Sequence, residues 1–250
     1  MQLARTIDEV LTLLDDIIEA EIELKRPLAY FPILYKLVTQ RIKTGIENHE
    51  FENNHRMEVL DVIFANRYIK AYHDMKQGHP VTKSWEIPFS HNNDQDLLIM
   101  QHLLLGINAH INLDLGIAVS ETVGEHGSLQ DFENDFTIIN AILASMVDDV
   151  QDRIGRVSPL FYLLQWVGKG REDKIVSFSI NTARDGAWLF ANEYHLASNP
   201  QECIDIRDSI IGTLALKLTR TKSKLLKWTI KSIRWFENKD VGQVAAVLRS

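Results

Sequence analysis

One cysteine, Cys203, stands in 250 residues. An internal disulfide is therefore excluded, and the expected setting is a reducing compartment, the cytoplasm. Glycine and proline are scarce, at 12 and 6, which disfavours many short strands joined by tight turns. The opening residues, MQLARTIDEV, lack the apolar stretch of a secretory signal and turn acidic at once. No run is read as reaching the roughly 18 apolar residues of a membrane span, so no transmembrane segment is expected. A GxSxG elbow, a glycine-rich phosphate loop and a CxxC pair are also missing. Their absence removes the usual signposts of serine hydrolases, nucleotide-binding enzymes and thiol redox proteins.

What is present is helical periodicity. Thr6 and Glu9 form a capping-box pattern ahead of an amphipathic run to about Leu24. Arg26-Pro27 breaks it, and Pro32 suits the first turn of a second helix. Asn53 and Asn54 open a third, from about His55 to Met75. Residues 77–93, QGHPVTKSWEIPFSHNN, read as a long ordered loop packed on the body through Trp85 and Phe89. A very apolar helix follows, from about Asp94 to Thr122, then a turn at Glu125–Gly127. Ser128 and Asp131 open a helix to about Arg153. A short apolar piece, LFYLLQWV, stops at Gly168 and Gly170, and another helix runs from about Glu172 to His195. Asn199-Pro200 caps a further one. The last patterns span Lys222–Phe236 and Asp240–Leu248. No alternating strand pattern and no fixed-period repeat is found. The reading is all-α: a single domain over 1–250, a bundle of eight to ten helices around a buried central helix at about 94–122.

Charge is uneven. Residues 214–250 hold six Lys and three Arg against Glu237 and Asp240, a net of +7, which leaves −14 for the first 213. An acidic body argues against a nucleic-acid partner for the chain as a whole. The basic helix 222–236 mixes Trp228, Trp235 and Phe236 with Lys and Arg. It is expected to pack its apolar side on the body; peripheral contact with an anionic membrane is the lesser reading.

The central helix poses the functional question. It carries His102, Asn108, His110, Asn112 and Asp114 in surroundings that are otherwise apolar, and buried polar groups cost free energy unless partnered. At about 100° per residue, His102, Gly106, His110 and Asp114 lie along one arc, and Asn108 and Asn112 on another. His110 and Asp114, one turn apart, could share a metal ion or simply bond each other. His102 lies about 12 Å up the axis. Gly106 and Gly116 each cost roughly 1 kcal/mol relative to Ala in a helix, which points to close approach of neighbouring helices. Arg67 on the third helix, and Arg184, Asp185 and Trp188 on the seventh, are candidate partners or substrate-binding groups.

Other spacings carry less. Asp148, Asp149 and Asp152 match DDxxD, which resembles the magnesium–diphosphate motif of class I terpene synthases; the second motif of that family is not apparent. Glu52 and His55 fit a di-iron ExxH spacing without a second copy.

The segment HLLLGINAHINLDLGIA, with YFPILYKLVTQRI, FANRYIKAY and the Trp85–Phe89 stretch, resembles an uncharacterised bacterial family, domain-of-unknown-function family 5995. The resemblance spans most of the chain, implies a helical domain of this size and brings no activity with it. Gly106 to Asp114 is also similar in rhythm to the zinc helices of the zinc-dependent phospholipase C group, but Asn108 replaces the acid, Asp114 the second His, and the proline is missing.

Two functional readings follow. The first is an enzyme, with metal-assisted hydrolysis leading. His102, His110 and Asp114 would be catalytic, with His110 and Asp114 as ligands of a divalent metal and Arg67, Arg184, Asp185 and Trp188 holding a small-molecule substrate. The second is a non-catalytic helical protein whose polar network specifies the core, with the basic C-terminal helix or the 77–93 loop meeting a partner or a membrane surface.

Overall fold

The computed structural model describes residues 3–94, 96–124, 126–164 and 178–250. Among these residues the regular structure is helical, with no strand. The helices are α1 (Ile7–Glu23), α2 (Tyr30–Glu47), α3 (Asn54–Lys76), α4 (Lys83–Ser90), α5 (Ile99–Ala109), α6 (Gly116–Val123), α7 (Glu133–Val157), α8 (Ile180–His195), α9 (Pro200–Thr219), α10 (Lys224–Phe236) and α11 (Val241–Arg249). A π-helical turn, His110–Leu115, joins α5 to α6 as one rod. Counted so, the described residues hold ten rods, the upper end of the expected range.

Local chemistry starts these helices. The first N–H groups of a helix have no intrahelical acceptor, and a side-chain oxygen at the N-cap supplies one. Thr6 Oγ1 accepts from the Glu9 amide at 3.2 Å, Asn53 Oδ1 from Arg56 at 3.0 Å and Asn199 Oδ1 from Glu202 at 3.3 Å. Pro200 sits at the first position of α9, where no amide is needed.

The structure corrects two boundaries. The stretch 77–93 is not an irregular loop: 83–90 is helix α4, with Pro88 inside it and Trp85 and Phe89 buried as expected. The central rod begins at Ile99 rather than near 94. Helix α8 begins at Ile180, capped by Ser179; the expected start at Glu172, the stops at Gly168 and Gly170, and Glu125 of the expected turn lie outside the described residues.

The rod α5–α6 is the axis of the bundle. Helices α2, α3, α4, α8 and α9 pack around it. By length and mean hydropathy Ile99–Val123 would suffice to cross a membrane, against the expectation that no stretch would; 94 % of its most apolar window is covered by the rest of the protein. Its two glycines mark the closest approaches. A Cβ on Gly106 would fall 2.3 Å from Phe31 Cγ of α2, and one on Gly116 would fall 2.8 Å from the Ala187 carbonyl of α8. Helix α1 packs across α2 and α3, and α11 against α2 and α7.

Candidate functional site

Nearly every polar side chain on the rod ties it to a neighbour. Gln101 Nε2 donates to Leu218 O of α9 at 2.9 Å, and its Oε1 accepts from the Leu98 amide. Asn108 Nδ2 donates to Ile211 O, also on α9, at 3.2 Å, and Asn112 Nδ2 donates to Asn108 Oδ1. The asparagine arc therefore fastens the rod to α9. His102 Nε2 meets Asp94 O at 3.1 Å, and burial pushes its pKa down to about 4.

The other arc is built differently. Asp114, buried in the π turn, accepts from Trp85 Nε1 of α4 at 2.8 Å and from Arg67 Nε of α3 at 3.1 Å. His110 Nδ1 lies 3.3 Å from Asp114 Oδ2. Burial alone would raise the Asp114 pKa; the His110 hydrogen bond, the Arg67 charge and the Trp85 N–H outweigh it and hold the group below its ordinary value. Asp114 is then an acceptor, so Nδ1 of His110 carries the proton and Nε2 carries a lone pair. Burial lowers the His110 pKa, against the pull of Asp114, and the imidazole is neutral. Its Nε2 is buried and, among the described residues, has no hydrogen-bond partner.

Aromatic rings fix that imidazole in place. Phe64 of α3 stacks on it with centroids 3.6 Å apart and planes 6° from parallel, and Tyr35 of α2 stands edge-on at 4.4 Å. Phe31, seated against Gly106, closes a further side at 5.6 Å. The absence of a side chain at Gly106 is what admits Phe31.

His110 forms part of the wall of a cavity of about 320 Å³. Leucine, isoleucine, valine and phenylalanine from α2, α3, the rod and α7 make up most of its surface, with Met57, Met100 and Met146 among them. Thioether side chains adapt to irregular contents. The polar lining is short: Tyr35, Asp61, His110, Gln151 and Arg184. Three of these carry an unpartnered buried atom: Tyr35 Oη, Asp61 Oδ2 and His110 Nε2. Thr39, one turn from Tyr35, also has a hydroxyl without a well-formed hydrogen bond; it lies near enough to the Tyr35 hydroxyl to oppose the rise that burial gives the Tyr35 pKa. Burial first, and the Glu58 charge second, push the Asp61 pKa up to about 8, so its carboxyl is protonated near neutral pH.

The structure thus brings His110, Asp114 and Arg67 together and places Arg184 in the same cavity wall as His110. His102 lies elsewhere, bonded to Asp94 O and edge-on to Tyr30. Asp185 is exposed, and Trp188 packs on Phe136 at 4.8 Å. Among the described residues no three His, Cys, Asp or Glu side chains gather closely enough to hold a metal ion. Both Asp114 oxygens are already engaged, so His110 and Asp114 do not by themselves fit one. Asp148, Asp149 and Asp152 are exposed on α7, with Asp149 paired to Arg153 at 2.6 Å. Sequence reasoning missed Asp61, Tyr35 and Thr39. The signals were an acid within EVLDVIF and two hydroxyls one turn apart on the apolar face of α2.

The described residues form an all-α bundle with an apolar cavity, in whose wall a positioned imidazole presents an unpartnered Nε2. The chain belongs to a Family of unknown function (DUF5995), whose sequence model matches residues 7–221. The cavity and every polar group named in its wall fall inside that range. Neither a curated protein nor a solved structure matches the chain.

Proposed function

We propose that the protein is an enzyme that takes a predominantly apolar small molecule into this cavity and moves a proton at its polar group, with His110 Nε2 as general base. The observation that carries the reading is the orphaned Nε2 in the cavity wall. Buried polar atoms are partnered in the great majority of cases, and a base held in one tautomer by a carboxylate is the arrangement proton abstraction needs. Asp114 is the positioning residue. Tyr35 and the protonated Asp61 are hydrogen-bond donors for charge that develops on the substrate. Hydrolysis, with His110 activating water, is one reaction of this class; it needs no metal at His110 and Asp114.

The test uses nitrobenzisoxazole, an apolar probe whose ring opens when a base takes its carbon-bound proton. Wild type should open it faster than an equal concentration of free imidazole, and His110→Gln should lose about 100-fold or more of that rate. Because the His110 pKa is lowered, activity should persist at pH values where free imidazole is already protonated. Equal rates in wild type and His110→Gln would refute the reading.

A second reading concerns α10 and is favoured by its surface. Leu226, Thr229 and Ile233 face the body, as expected, but Trp228, Trp235 and Phe236 do not: they are 69 %, 77 % and 61 % exposed. With Leu225 they form one apolar stripe, bordered by exposed Lys224, Lys227 and Lys231. A helix of this kind settles on an anionic membrane surface. Cosedimentation with phosphatidylglycerol vesicles, and not with phosphatidylcholine vesicles, should be lost in Trp228→Ala/Trp235→Ala. Retention by the double variant would sink this second reading.

A further inference from the structure

Among the described residues Arg184 is the cation in the cavity wall, and its charge has no counter-ion there. It is 3 % exposed. Its Nη2 donates to Phe136 O at 3.1 Å, its Nε donates to Asn140 Oδ1, and its guanidinium carbon lies 4.4 Å from the centroid of the Phe136 ring. These partners are a carbonyl, an amide and a π face, all neutral. Among the described residues no carboxylate comes within salt-bridge distance of it; the charge that acts on it is that of exposed Asp185, its sequence neighbour. The hydrogen bonds account for Nε and Nη2 and leave Nη1 without an acceptor among the described residues. A pin between α7 and α8 alone would not call for a charge, since a neutral donor of similar length would serve and would avoid the cost of burying an ion. Burial drives the Arg184 pKa down to about 9, which still leaves it charged near neutral pH.

We infer that the cavity ligand is an aliphatic carboxylic acid, its chain on the leucine, isoleucine and methionine wall and its carboxylate on Arg184. A guanidinium offers a planar pair of N–H groups matched to a carboxylate, and the apolar wall suits a hydrocarbon chain. Of the remaining polar wall, Tyr35, Asp61 and His110 would then meet a second functional group of the ligand. The inference rests on the proposed ligand-binding role of the cavity.

Calorimetric titration of the whole protein with decanoate and with decanol tests it. Both probes share the chain and differ in the head group. Wild type should bind decanoate about tenfold or more tighter than decanol, the scale of hydrogen bonds to a charged group. Asn140→Asp places a carboxylate beside the guanidinium with no change of shape, so the bundle should stay folded. This variant should lose the preference for the acid and keep its affinity for decanol. Arg184→Gln should do the same if it folds. Equal binding of acid and alcohol by wild type would overturn the carboxylate assignment and leave the cavity reading standing. An acid preference that survives in Asn140→Asp would also overturn it. Binding of neither probe would overturn this inference, while the nitrobenzisoxazole assay judges the cavity reading separately.

Discussion

Asp61 offers the most direct test of the energetics inside the cavity. It sits on α3, 6 % exposed, with Oδ2 unpartnered. Its carboxyl ionises near 3.8 in the ordinary case and at about 8 in the fold, burial being the main cause and the Glu58 charge the second. The folded value lies above the unfolded one, so the folded state holds the proton more tightly. Stability from this group is full below pH 3.8, falls as pH rises towards about 8, and then levels. Near pH 7 the cost spans about three pH units at about 1.4 kcal/mol each, an upper limit of about 4 kcal/mol. Asn matches the protonated carboxyl in shape and has no proton to lose. Asp61→Asn should therefore be more stable than wild type by up to that amount near pH 7, and no more stable near pH 4. For a chain of this size the gain corresponds to roughly 10 °C in Tm. Denaturant unfolding at a series of pH values from 4 to 9 measures the difference directly. It should grow by at most about 1.4 kcal/mol per pH unit and flatten near pH 8. Parallel stability curves for the two proteins would show that Asp61 ionises normally in the fold, and the reasoning would fail.

Gly116→Ala should destabilise by about 1–3 kcal/mol, because its Cβ would meet the backbone carbonyl of Ala187, which cannot rotate away; thermal unfolding reads this. His102 has a folded pKa of about 4 against 6.5 unfolded, so its contribution is complete above pH 6.5 and declines as pH falls towards 4. His102→Gln should remove up to about 3 kcal/mol of that acid-side loss, seen as a shallower decline of stability between pH 6.5 and 4. Asp114→Ala strands Arg67, the Trp85 N–H and His110 Nδ1 together, and should cost about 3–5 kcal/mol by denaturant unfolding.

Much of the fold was legible because helix caps and apolar periodicity are local. Thr6, Asn53 and Asn199 cap where their spacing says they should. Gly106 and Gly116 could be read as contact points because a glycine in a buried helix needs a compensating reason. Helix α4 was hidden by Pro88, which local propensity scores as a breaker but which the packing of Trp85 and Phe89 overrides. The site was legible only in part. Arg67 was one of two arginines read as a candidate partner or substrate-binding group, and it is the one that meets Asp114. Asp61 gives only the cue of an acid within EVLDVIF, since the cavity it lines is completed by residues of α7, which are remote in sequence. The π turn gives none either, and wheel angles at a constant 100° do not describe residues 110–115.

That turn bears on whether the polar groups of the rod are architecture or chemistry. The two divide atom by atom. Asn108, Asn112 and Gln101 spend their donors on α9 or on each other, Asp114 collects α3 and α4, and each such bond is one a folded core requires. The π turn itself is anchored from outside, where Arg207 Nε donates to Asn112 O at 2.9 Å. A π turn inside an α-helix frequently coincides with a functional site, and here it carries His110 against Phe64 and Tyr35. Within His110 the division runs through the ring: Nδ1 belongs to the network, and Nε2 belongs to the cavity. Substitutions on the Asp114 side should therefore lower stability first and reactivity as a consequence. His110→Gln, which can retain a hydrogen bond to Asp114 but offers no base to the cavity, should lower reactivity far more than stability.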